Sequence, residues 1–123
     1  MSHNKFSVVG MIVSGALLIG AAQSASAAAV DEATFNGWKI YKRERCETCH
    51  GPNAEGAAAF PSLVNSLKTM TKEQFTDVVL NGRKAMPAFK ANKKVADGID
   101  PLYTFLKGRS DGTVPAGELE QAK

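Results

Sequence analysis

Cys46-Glu47-Thr48-Cys49-His50 is the stretch of this chain whose residue types and spacing could do chemistry. Two thiols three residues apart, followed at once by an imidazole, form the attachment signature of a c-type haem. The thiols would add across the haem vinyl groups as thioethers, and His50 would stand beneath the iron as its proximal ligand. The same cysteines could also be a redox dithiol, half of a zinc site or a disulfide. A dithiol of the thioredoxin kind follows a strand in an alternating β/α pattern, and the sequence has none. Zinc asks for four ligands. The chain holds two cysteines and two histidines, and His3 lies in a segment read as removed. Two thiols and one imidazole are one ligand short unless a carboxylate joins.

The N-terminus has the features of a secretory signal. His3 and Lys5 give a short basic start, Phe6 to Ala22 is apolar or small throughout, and Ala25-Ser26-Ala27 is a small-x-small cleavage pattern. A retained membrane anchor is the competing reading, but the run is short for a span of about 20 residues. Residues 1–27 are therefore expected to be a cleaved leader, and residues 28–123 one small domain with a thin core of its own. Export fits the motif, because thioether attachment is made outside the cytoplasm. The expected location is the periplasm, with no stable membrane insertion after cleavage. The net charge of +3 is small and falls further when Lys5 leaves with the leader. Nucleic-acid binding is therefore not expected.

The elements that must position the motif read as helices. From Asp31 to Arg45, Phe35, Trp38 and Tyr41 recur at helical steps with Ile40 beside them. Gly37 among them costs helix propensity, and close approach of another helix would explain it. Gly51-Pro52-Asn53-Ala54-Glu55-Gly56 is a turn-rich loop. Ser62 can cap a short helical turn through Leu67. Thr71-Lys72-Glu73-Gln74 is a capping box, with Phe75, Val78 and Val79 as the apolar face behind it and Gly82 placed to end that helix. Asp100-Pro101 is expected to start the last helix, Leu102, Phe105 and Leu106 to be its buried face, and Gly108 to stop it. The tail from about residue 110 reads as an irregular arm. No run alternates every second residue, so the fold class is all-α.

A second axial ligand decides whether haem iron is closed or open. Beyond the leader there is no second histidine, and the methionines are Met70 and Met86. Met86 stands in Lys84-Ala85-Met86-Pro87-Ala88-Phe89, where Pro87 disfavours helix and stiffens an extended loop. Met70 precedes the capping box and reads as core filling. Core packing is the competing reading for Met86 as well.

On Cys46-x-x-Cys49-His50-Gly51, Pro61-x-Leu63, Met86-Pro87-x-Phe89 and Phe105-Leu106, the chain resembles the class I c-type cytochromes over nearly all of residues 31–108. The resemblance implies three to five helices around one haem c, held covalently through Cys46 and Cys49. It implies iron between His50 and Met86, with Pro61, Leu63 and Phe89 among the haem-binding residues. The Pro61 carbonyl would accept a hydrogen bond from His50 Nδ1, and Gly37 and Tyr41 would meet Phe105 where the first and last helices cross. One departure is that Tyr41 stands five residues before Cys46, where the family more often has an aromatic four before. Three further stretches, 66–70, 78–83 and 102–112, look like the small cytochromes that take electrons from quinoprotein (PQQ) alcohol dehydrogenases, including methanol dehydrogenase.

The function implied is one-electron transfer between redox proteins by a monomeric carrier without enzymatic activity, from a dehydrogenase donor to a cytochrome or oxidase acceptor. A haem enzyme or sensor with an open sixth site, and a cytochrome subunit of a larger dehydrogenase complex, are the alternatives. Arg83, Lys84, Lys90, Lys93 and Lys94 form a basic run without an acid around Met86. It reads either as a docking collar that steers an acidic partner or as an ordinary solvated surface. Trp38 reads as helix packing or a haem neighbour, and Arg109 as exposed or a propionate partner.

Overall fold

Asp31 starts the first helix by accepting from the Thr34 backbone N–H at 3.0 Å and the Thr34 hydroxyl at 2.7 Å. That is an N-cap with a second bond added, and these bonds hold the Asp31 carboxyl below its usual range. The computed structural model describes residue 20 and residues 26–123. The basic start and apolar run expected to be a leader lie outside the described residues, apart from Gly20. In chain order the elements are β1 (Ala28–Val30), α1 (Glu32–Arg43), α2 (Glu47–His50), α3 (Leu63–Ser66), α4 (Lys72–Asn81), α5 (Lys93–Asp97), α6 (Ile99–Asp111) and β2 (Leu119–Gln121).

The core lies where α1 crosses α6. Gly37 is at the crossing: a Cβ there would stand 1.9 Å from the Pro101 carbonyl oxygen and 2.8 Å from Phe105 Cβ. Only glycine lets the two backbones come this close. One turn on, fully buried Tyr41 packs on Phe105 with ring centroids 5.6 Å apart. Leu67, Phe75, Val95, Leu102 and Leu106 extend the core to the other helices. Trp38 stacks on Phe35 within α1, centroids 5.6 Å apart, as helix packing expects.

The expected caps at Ser62 and Thr71 are present, the latter with both bonds of the capping box, and Gly82 ends α4. Other boundaries differ. Among the described residues six helices form where three to five were expected, because α2 and α3 are single turns and α5 is a five-residue helix capped by Asn92. Helix α6 begins at Ile99, two residues before Pro101, and runs through Gly108 to Asp111. Gly108 does not stop the helix; it makes room for Val114, whose Cγ2 would be 2.4 Å from an added Cβ. Gly112, in the left-handed conformation, is the terminator.

The arm after residue 110 is not irregular throughout. Val114 and Leu119 are buried, and β2 pairs in parallel with β1, Ala28 opposite Leu119 and Val30 opposite Gln121. Three-residue strands are too short to show alternation, and their partners lie at opposite ends of the described chain. Among the described residues no helix is long and apolar enough to cross a membrane.

Candidate haem site

The attachment segment hangs from the end of α1. Arg45 is left-handed, with φ of 62°. Its N–H donates to Lys42 O at 3.2 Å, and that of Cys46 to Tyr41 O at 3.1 Å. This pair of bonds is a Schellman ending. It absorbs the extra residue between Tyr41 and Cys46, so Tyr41 keeps its place against Phe105. The single turn α2 then carries Cys49 and His50, with the His50 and Cys49 amides both donating to Cys46 O. Gly51 turns the chain at φ 83°, where a Cβ would strike the Glu55 carboxylate.

Cys46 and Cys49 are partly buried and are not joined as a disulfide. Burial, with the negative charge of Glu44 and Glu47 adding to it, pushes the Cys46 thiol up to about 11. A thiol so held is a poor thiolate, which disfavours a reactive dithiol. No group of three or more His, Cys, Asp or Glu side chains able to hold a metal ion occurs among the described residues. His50 is buried, and its Nδ1 lies 3.1 Å from the Pro61 carbonyl oxygen. A carbonyl can only accept, so Nδ1 donates there and Nε2 is the nitrogen left for iron. The donor set therefore fits a covalently attached haem.

Pro61 reaches His50 through a small hairpin. Ala57 and Phe60 exchange backbone bonds at 3.2 and 3.1 Å, after Gly56 with φ 89°. A Cβ on Gly56 would be 2.7 Å from Ser62 N and 2.9 Å from Phe60 O. Met86 stands on a loop of the same design. Arg83 and Met86 exchange backbone bonds at 3.0 and 2.9 Å, after Gly82 with φ 78°. A Cβ on Gly82 would be 2.8 Å from Met86 O. The amides of Phe89 and Lys90 then donate to Val79 O and Leu80 O, carbonyls that the end of α4 leaves open. Met86, Phe89, Leu63 and Met70 are partly buried against the core.

Residues 32–106 match the family model described as cytochrome c oxidase, cbb3-type, subunit III. The chain is 61% identical to cytochrome c-555 of Methylococcus capsulatus, over 98% of both chains. The chain belongs to the c-type cytochromes. It is a small electron carrier of that family with one haem c bound through Cys46 and Cys49. This cytochrome is also 39% identical to cytochrome c-553I of Paracoccus denitrificans, over 72% of this chain and 42% of that one. Among solved structures it is similar to the c-type cytochrome XoxG from Methylobacterium extorquens AM1. The TM-score is 0.72 at 33% identity, covering 78% of this chain and 62% of that one.

The cytochrome has site residues that its motifs do not announce. Arg109 lies inside α6 and donates to Asn53 O at 3.3 and 3.2 Å and to Val114 O at 2.7 Å. Asn53 Oδ1 accepts from Gly117 N at 2.8 Å. Arg109 thus joins the loop after His50 to the C-terminal arm. Lys42 sits 2.7 Å from Glu47 within the motif and 3.8 Å from Glu118 on the arm. The only sequence signal for these ties was a lone arginine beside a glycine-rich end. The five cations of the basic run are all exposed, and Lys93 is 3.9 Å from Asp97.

Proposed function

We propose that this cytochrome is a periplasmic one-electron carrier with iron held between His50 and Met86. It takes electrons from a quinoprotein alcohol dehydrogenase and passes them to a downstream cytochrome or oxidase. The observation that carries the reading is the fixing of the Met86 backbone by two hairpin bonds and by the Gly82 turn. A soft thioether remains on iron in both oxidation states only if its loop does not flex. When bound, the haem supplies the ferric–ferrous couple. His50 contributes Nε2, and Pro61 holds the ring through Nδ1, keeping the ligand's bearing constant. Leu63 and Phe89 supply apolar walls. Cleavage after Ala27 would leave Ala28, the first residue of β1, at the start of the mature, monomeric chain.

The quinoprotein partner rests on the resemblance of stretches 66–70, 78–83 and 102–112. Arg83, Lys84, Lys90, Lys93 and Lys94 would steer an acidic partner to the Met86 side. A role as a subunit of a larger complex is favoured by the description of the matched family model.

The ferric optical spectrum tests the ligand set. The weak red band of sulfur-to-iron ligation is expected, while high-spin iron that binds cyanide readily would support a haem enzyme or sensor. Reduction by a purified quinoprotein alcohol dehydrogenase should slow as salt rises, and a rate indifferent to ionic strength would remove the collar. Co-purification with a dehydrogenase would support the subunit reading.

A further inference from the structure

We propose that Tyr41 is the positioning residue of the haem-attachment segment, holding it at both ends. Its backbone carbonyl accepts from Cys46 N at 3.1 Å, at the segment's first residue. Its hydroxyl donates to Gly51 O at 2.6 Å, just past His50. One residue therefore brackets the two thioether carbons and the proximal imidazole.

The segment needs such a bracket. Helix α2 is a single turn with no side-chain cap, and a turn of this length has no stability of its own. Its other backbone ties to the loop that follows are the Ala54 amide on Gly51 O at 3.2 Å and the Gly56 amide on His50 O at 2.7 Å, and a partly exposed Lys42–Glu47 ion pair at 2.7 Å adds a side-chain tie to α1. Tyr41 is different because it belongs to the core. It is fully buried, and its ring rests on Phe105 at the helix crossing that Gly37 sets. Through Tyr41 the position of the attachment turn is referred to the rigid α1–α6 pair. The Pro61 bond governs how the His50 ring is rotated, whereas the bracket governs where its backbone stands.

Packing alone does not require the hydroxyl. A phenylalanine would fill the same place against Phe105 without bringing a polar group into the core. The hydroxyl's partner is the carbonyl one residue beyond the imidazole, so the group fixes the position of a ligand-bearing turn. A proximal ligand that keeps its place in both oxidation states is what a fast electron carrier requires. The inference rests on the reading of His50 as an iron ligand.

The test is Tyr41→Phe in the haem-loaded protein, with Phe75→Leu on α4 as a control that loses buried contact against Tyr103. Proton spectra of the ferric wild type come first. Absence of imidazole-ligated low-spin haem there would sink the ligand reading itself, before any variant is compared. In Tyr41→Phe, the spread of the haem methyl shifts, which reports ligand-plane orientation, is expected to change. Amide exchange at Cys49, His50 and Gly51 should become about fivefold faster, the size of one net hydrogen bond, with α4 amides unaffected. Phe75→Leu should leave the methyl shifts in place. A Tyr41→Phe spectrum superposable on wild type, with exchange raised evenly over the chain, would overturn the proposal. If Tyr41→Phe fails to hold haem, 3-fluorotyrosine placed at 41 keeps ring and hydroxyl but donates more strongly. The methyl shifts should then move from their wild-type positions, and no movement would overturn it.

Discussion

Met86 and Met70 are chemically equal as thioethers, and their backbones separate them. Met86 is gripped by a two-bond hairpin, whereas Met70 leads from α3 into the Thr71 cap and packs against the core. Met86→Ala is therefore expected to abolish the red band, open iron to cyanide and lower the reduction potential, since a neutral soft ligand favours ferrous iron. Persistence of the band would transfer the role to Met70. Tyr41 predicts a pH effect. Burial, then the charges of Glu55 and Glu47, raise its hydroxyl above the ordinary value of about 10. Above pH 10 the unfolded chain gives up this proton while the folded chain keeps it, so stability falls as pH rises. Below pH 10 the contribution is complete. Thermal unfolding followed from pH 7 to 11 should show a midpoint that declines beyond pH 10, and a shallower decline in Tyr41→Phe.

At the scale of elements, Gly37 carries the most specific expectation. Gly37→Ala improves helix propensity by about 0.8–1 kcal/mol but drives a Cβ into the Pro101 backbone. The overpacking cost of about 1–3 kcal/mol or more should win. The unfolding midpoint would then drop by several degrees, about 4–8 °C per net kcal/mol; an unchanged midpoint would mean the helices can part without loss. The close approach at Gly37 was legible in the sequence because a glycine in an apolar helix stripe needs a reason. The Ser62 and Thr71 caps were legible because their bonds run to residues three positions away. The attachment motif was legible because its chemistry is local. Helix α5 was not, since five mostly polar residues show no apolar face and only Asn92 marks its start. Gly108 misled because a glycine near a helix end can either stop the helix or admit a neighbour, and the neighbour, Val114, comes from the arm. The ending at Arg45 was hidden because a non-glycine residue adopts the left-handed conformation there. The two hairpins that hold Pro61 and Met86 were only half visible, since proline signals an extended loop but not the bonds that close it.

Across the whole molecule the C-terminal arm acts as a strap over the haem-attachment side. It buries Val114 and Leu119, lends Val114 O to Arg109 and Gly117 N to Asn53, and sets Glu118 near Lys42. Removing residues 113–123 should cost at most about 3–6 kcal/mol for the two side chains. Amide exchange should speed up at Ala54 and Gly56, where Arg109 loosens its hold on Asn53. A truncated protein as stable as the full chain would show the strap to be decoration.

The parallel pairing of Ala28–Val30 with Leu119–Gln121 also has a kinetic consequence. It joins the most sequence-distant segments of the described chain, and closing so long a loop comes late, after local helices have formed. Contacts missing from the folding transition state act on the unfolding rate alone. In stopped-flow chevrons the strapless protein should therefore fold at nearly the wild-type rate and unfold faster. The strap would then govern how long the folded cytochrome lasts, with little effect on how quickly it forms.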